Sequence, residues 1–180
     1  MPFRPNGTPM RARGRIVLNS TSIHQAIRSP LLALALMVVF AGTALATPAS
    51  NFVGAISSRA TMADSIHVNV GTVKLQTKGP VDFVTATVNI AAGGTSGWHS
   101  HPGVVLVSVV SGSVTFYDQH CSAIVHAAGA SFVESGDEPG LARNESALDA
   151  AQVFVTYLVP AGTPNAALRV DAANPGCPQS

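Results

Sequence analysis

Acidic residues are missing from the first 46 positions of this 180-residue chain, while Arg4, Arg11, Arg13, Arg15 and Arg28 all lie there. That basic stretch runs into the uncharged PLLALALMVVFAGTALA and ends on Ala44-Leu45-Ala46. A basic region, an apolar region and a small-x-small cleavage site in that order build a secretory signal. Residues 1–46 are therefore expected to be a leader, with Met10 an alternative start, and the mature protein is expected in the periplasm or outside the cell. The strongly apolar part, Leu31 to Ala41, has eleven residues. A membrane-spanning helix needs about 20, which favours cleavage before Thr47 over anchoring and argues against stable membrane insertion afterwards. No Arg-Arg pair supports a twin-arginine route. The remaining 134 or so residues carry five basic and nine acidic side chains, a net charge of −4 with histidines neutral. A mildly acidic domain without a basic stripe is a poor partner for nucleic acid or an anionic membrane surface.

Cysteine is almost as scarce. Cys121 and Cys177 are the only two, and in an exported chain an even pair is most simply one disulfide. Two thiolate metal ligands would want CxxC-like spacing or neighbouring histidines, and His120 beside Cys121 is the single hint of that. A bridge would tether the tail DAANPGCPQS, which has too little apolar content to pack alone. Also missing are convincing amphipathic helices after residue 60, internal repeats, and the nucleophile-elbow sequence that would support Ser/His/Asp catalysis.

What fills the chain instead is short runs of Val, Thr, Ile and Phe bounded by Gly, Pro, Ser and Asp, the pattern of strands and turns. Strands are expected at 66–70, 82–90, 104–110, 113–117, 123–127, 130–134, 152–159 and, shorter, 168–170. Many short, closely spaced strands indicate an all-β sandwich or barrel. Residues 47–65 have mixed character and read as a loose lead-in. Phe83, Phe116, Phe132 and Phe154 are most simply core.

Chemistry gathers at GWHSHPG, residues 97–103. On an extended segment His99 and His101 share a face, and the same parity continues through Gly103, Val105, Val107 and Val109. In a barrel that face is the interior, so two imidazoles would stand above a pocket floor that includes Val105 and Val107. Neutral imidazole nitrogens converging on an apolar cavity suit a divalent transition metal such as Zn, Fe, Ni, Cu or Mn. Trp98, out of phase with the histidines, is expected on the outer face or between sheets.

The stretch GGTSGWHSHPGVVLVSVVSG, with Gly93, His99, His101 and Gly112 in place, resembles the first motif of the cupin superfamily. GASFVESGDEPGLARN resembles the second, with Gly129 and Asn144 at its ends. The resemblance covers about residues 80–162 and implies a double-sheet jelly-roll barrel with a metal near its mouth. Together with the leader and the cysteine pair, it gives a plan of leader 1–46, lead-in and first strand 47–78, barrel 79–163 and disulfide-tethered tail 164–180. Two family ligands are replaced: the glutamate position holds Val105 and the third histidine position holds Gly140. Ser135 and Asp137 stand where Pro and Gly are usual.

Three protein ligands are the usual minimum for a catalytic metal, so a substitute is needed. Glu134 ends ASFVE, shares a face with Phe132 and Ala130, and would complete a His-His-carboxylate set; Asp137 and Glu138 lie nearby, with Glu138 the second choice. His120, in an apparent turn, and His126, read as a hydrogen-bonded surface histidine, have weaker claims. The rival to any metal is a pair of histidines retained in a barrel that binds none. The sequon at Asn144 is uninformative. Three functions follow: a metal-dependent enzyme on a small organic molecule, dioxygenase-like; a module that binds a small ligand; or a structural barrel without metal. The expected partner is a small-molecule ligand or substrate, with a homodimer as the other candidate. Fold alone does not choose among them.

Overall fold

β-Branched residues alternate with smaller or polar ones along most of this chain, and a computed structural model turns that alternation into strands. It describes residues 45–179; the expected leader up to residue 44 lies outside the described residues. In chain order the strands are β1 (Ser50–Met62), β2 (His67–Val70), β3 (Val73–Gln76), β4 (Val81–Thr95), β5 (His99–Ser100), β6 (Val104–Ser111), β7 (Ser113–Tyr117), β8 (Ala123–Ala127), β9 (Ser131–Glu134), β10 (Leu141–Arg143), β11 (Ala151–Pro160) and β12 (Val170–Asp171). One 3-10 turn, Asn165–Ala167, precedes β12.

Eight strands form one antiparallel sheet in the order β8-β7-β10-β4-β11-β6-β9, with β1 added along β4. The sheet curls into a nearly closed barrel, as the all-β expectation required. Its two ends approach through side chains: the His126 ring on β8 stacks on Phe132 of β9 with centroids 4.3 Å apart, and Phe116 of β7 lies 5.3 Å from Phe132. His126 is thus a half-buried stacking partner, not the hydrogen-bonded surface residue expected. The period of two fixes what faces inward. Val84, Ala86, Val88 and Ile90 of β4, Val105, Val107 and Val109 of β6, and Val153 and Val155 of β11 are all buried. Fully burying such a side chain is worth about 1.5–3 kcal/mol, so the barrel's interior is held by valines that take no part in chemistry. The turn from β6 to β7 rests on Gly112, whose φ of +69° favours a residue without a Cβ.

Three expectations need correcting. Residues 50–62 are not a loose lead-in but a thirteen-residue strand paired along β4 from Ser50↔Thr95 to Met62↔Val81. Much of β1 packs against one neighbour and faces solvent otherwise, so it lacks the hydrophobic alternation by which a strand is recognised. A polar clamp compensates: Asp82 of β4 accepts from Thr61 at 2.6 Å, from Arg59 at 2.6 Å and from the Gly162 amide at 2.9 Å. Those bonds, Thr61's first, hold the Asp82 carboxyl at about 2. Second, Phe154 is 53% exposed, because Val153 and Val155 take the inward positions on β11; Phe83, Phe116 and Phe132 are half-buried. Third, the run at 168–170 reaches strand only at Val170.

The tail is bound as expected. Cys121 and Cys177 are disulfide-bonded, with Cα atoms 5.4 Å apart, which rules out the thiolate-ligand alternative. Cys177 packs against Trp98, Tyr117 and Leu141. Trp98 is fully buried beneath this tail and its indole N–H donates to the Gln179 carbonyl at 3.1 Å.

Candidate metal centre

Gly97 turns the chain into the histidine segment with φ +66°, and a Cβ there would collide with the Thr47 carbonyl. The extended step that follows puts His99 and His101 on the inner face, both buried. Their rings lie edge to face with centroids 4.7 Å apart. β6 and β9 pair with Val105 directly opposite Glu134. That register brings the Glu134 carboxylate inside, where its Oε2 lies 2.9 Å from His101 Nε2 and 3.5 Å from His99 Nε2. One donor atom from each of the three residues falls within 4.8 Å of the others.

The second nitrogen of each ring is engaged by backbone. His99 Nδ1 donates to the Gly97 carbonyl at 2.9 Å and His101 Nδ1 to the Leu168 carbonyl at 2.6 Å. A carbonyl can only accept, so each Nδ1 carries hydrogen and each Nε2 is left to face the carboxylate. Burial works against the charged form of Glu134, but its hydrogen-bond contacts with His101 and His99 outweigh it and hold the carboxyl at about 2. Two imidazole nitrogens and an ionised carboxylate oxygen thus converge, three electron-pair donors that require a shared cation, either protons or a metal ion. Acceptors behind ligand imidazoles are the usual way in which proteins orient such rings. The donor set fits a divalent transition metal.

Around the cluster lies an apolar cavity whose lining includes Val105 and Val107. It measures only about 30 Å³. Tyr157 of β11 borders it, its ring 5.6 Å from His101. Burial, helped by the Glu134 charge, pushes the Tyr157 hydroxyl up to about 12, so it stays protonated and can donate but not act as a base near neutrality. Arg169, which no sequence pattern singles out, also borders the cavity.

The remaining candidates are elsewhere. Glu138 is in the loop beyond β9, bonded by the Ser135 hydroxyl at 3.3 Å, and Asp137 lies beside it. Neither joins the cluster, nor do His120 and His126. Asn144 is buried, donating to the carbonyls of Ile90, Ala91 and Asp149 at 3.2, 3.1 and 2.8 Å. It ties the end of the second motif to β4 and is sealed from any glycosylating enzyme.

The two family ligand positions also have physical accounts. Val105 cedes the carboxylate to Glu134, its cross-strand neighbour. Gly140 forms a backbone bridge with His99, and a Cβ there would sit 2.5 Å from Phe116 Cζ and 2.8 Å from Cε2. The phenyl ring would have to move to admit any side chain at this position. Gly140→His should therefore lower stability by about 1–3 kcal/mol, the usual effect of overpacking, and should fail to tighten metal binding; denaturant midpoints and metal titration check both.

No family model and no curated protein matches the chain in sequence. Among solved structures, it is similar to a conserved protein of unknown function, SPY1581, from Streptococcus pyogenes, at 20% identity over 43% of this chain and 65% of that one, with a TM-score of 0.40. An oxalate oxidase in complex with the substrate analogue glycolate aligns at 22% identity over 41% of this chain and 40% of that one, with a TM-score of 0.37. A cupin superfamily protein, DSY2733, from Desulfitobacterium hafniense aligns at 10% identity over 57% and 79%, with a TM-score of 0.40. The chain thus spans 65% and 40% of the lengths of the first two. The chain is thus a nearly closed antiparallel β-barrel in which the two segments resembling cupin motifs are joined by the His99–Gly140 bridge.

Proposed function

We propose that this chain is an exported cupin-type barrel that binds one divalent transition metal through His99, His101 and Glu134 and binds or transforms a small organic molecule there. The observation that carries this reading is the convergence of two tautomer-fixed imidazole nitrogens and an ionised carboxylate on one point inside an apolar wall. Three protein ligands leave coordination positions for a small molecule, and the metal would supply Lewis-acid polarisation of whatever binds there. The protein's own part is to exclude water with valines, to hold both rings by their Nδ1 hydrogens, and to offer the Tyr157 hydroxyl as a neutral donor.

Export is supported by the leader-like sequence and by the disulfide, which persists in oxidising compartments. Among the described residues no helix is long and apolar enough to cross a membrane. The alternative, a barrel that binds a small ligand without turnover or has only a structural role, makes no use of the three donors. Elemental analysis of protein purified without added metal should find close to one transition-metal ion per chain, and metal-depleted protein should take up one equivalent of Co²⁺. Failure of both would leave the non-metal barrel as the better reading.

A further inference from the structure

The 30 Å³ cavity beside the cluster has room for about two waters, given that one needs roughly 10–15 Å³ of such space. An organic ligand that reaches the cluster must therefore lie mostly outside it. Two grooves adjoin. One, of about 330 Å³, borders His101 and carries Asp137, with no lysine or arginine on its walls. The other, of about 270 Å³, runs between β1, β4 and the segment before β12, and shares Phe52, Val88, Tyr157 and Arg169 with the cavity. Its walls are otherwise largely apolar, and Arg169 is the single charged residue among them.

Arg169 has spare donor capacity. Its guanidinium bonds the Asp171 carboxylate and the Ser96 carbonyl, two of the five N–H groups it offers. The Nε hydrogen is buried and has no acceptor, so of the five N–H groups the two unfilled Nη hydrogens are the ones left for a ligand. Fork-like pairing through two parallel hydrogen bonds is a favoured geometry of arginine with a carboxylate. The side chain is 26% exposed, so a ligand can approach it.

The geometry points to a small carboxylic acid with an apolar tail as the ligand of this site, its carboxylate on Arg169 and its hydrocarbon chain in the groove against Phe52 and Val88. This rests on reading the neighbouring His99–His101–Glu134 cluster as the working end of the site. Asp137 repels a carboxylate in the first groove, whereas in the second Arg169, although paired with Asp171, keeps unfilled N–H donors. By the measure that gives the inner cavity two waters, the Arg169 groove at about 270 Å³ accommodates a chain of several carbons.

The test is calorimetric titration of the full-length protein with hexanoate, acetate and hexanamide, each in metal-free and Co²⁺-loaded protein. Hexanoate should bind at least tenfold more tightly than hexanamide, which lacks the charge, and than acetate, which lacks the tail. Arg169→Gln should bring hexanoate and hexanamide to within about twofold, while Arg169→Lys keeps part of the preference and Co²⁺ uptake is unchanged in both. Gly54→Val supplies a variant that leaves Arg169 untouched: its Cβ would lie 3.6 Å from Val88 Cγ2, an ordinary contact, and the added methyls should weaken hexanoate more than acetate. Equal binding of hexanoate and hexanamide by the parent, or a preference that survives Arg169→Gln, overturns the proposal. If the Arg169-dependent preference holds but the protein takes up no Co²⁺, the carboxylate site stands and the metal reading fails. Co²⁺ uptake without the preference overturns the carboxylate site and leaves the metal reading in place.

Discussion

His101→Ala should reduce divalent-metal affinity by more than about 100-fold and leave the strand content intact. Changes to groups that merely support a ligand already lower affinity about 10–100-fold, and here a ligand itself is lost, with the remaining pair unable to chelate from three directions. His99→Ala should behave alike. Glu134→Gln should weaken binding comparably, because a neutral amide is a poorer donor and removes the negative charge that balances the ion. Glu138→Gln and His120→Ala, which lie outside the cluster, should leave metal uptake as it is. The barrel should survive each change, since its interior is built from β4, β6 and β11 valines that none of these residues replaces. Titration with Co²⁺ and circular dichroism separate the two effects. Parent-like metal binding in both histidine variants would sink the assignment of these ligands.

A second large effect is expected at the disulfide. Cys121 and Cys177 close a loop with a sequence separation of 56, and loop-closure entropy makes such a bridge worth about 4 kcal/mol. For a domain of this size that amounts to a fall in Tm of roughly 10–20 °C on replacing both cysteines with serine. The loss has a local component too. Cys177 is part of the cover over Trp98, and the indole N–H bonds Gln179 two residues later. The unbridged tail should become cleavable by protease near residues 173–179 before the barrel unfolds. Thermal unfolding and limited proteolysis with mass spectrometry read the two components; an unchanged Tm together with a protected tail would contradict both.

Most of the barrel was legible because its strands are buried on one face and alternate accordingly. β6 and β11 show this plainly: Val105, Val107 and Val109, and likewise Val153 and Val155, recur at every second position. β1 was not legible, since a strand exposed along nearly its whole length carries no such signal, and the Asp82 residue that clamps its end lies more than twenty residues away. β10 has three residues and owes its existence to pairing with Tyr117, Phe116 and Thr115 of β7. At the site, the histidine pair was readable from its spacing, and the inward position of Glu134 from its parity with Phe132. Arg169 was not, because nothing within reach of it in sequence marks it; it meets the cavity only because β12 pairs with β5, Val170 against Ser100 and Asp171 against His99.

The placement of Glu134 opposite Val105 bears on assembly as well as on chemistry. β9 is a four-residue strand at the end of the sheet and, among the described residues, pairs with β6 alone. A slip of one residue would turn every side chain of such a strand to the other face, sending the carboxylate out to solvent and Val133 inward. An ion held by both histidines and this acid would bind only the correctly paired form. At a concentration 100 times its Kd it would favour that form by about 2.7 kcal/mol. This margin of the sheet would then be proofread by the same three atoms that would hold the ion, and loss of the ion would show first as fraying of β9 and not as collapse of the barrel.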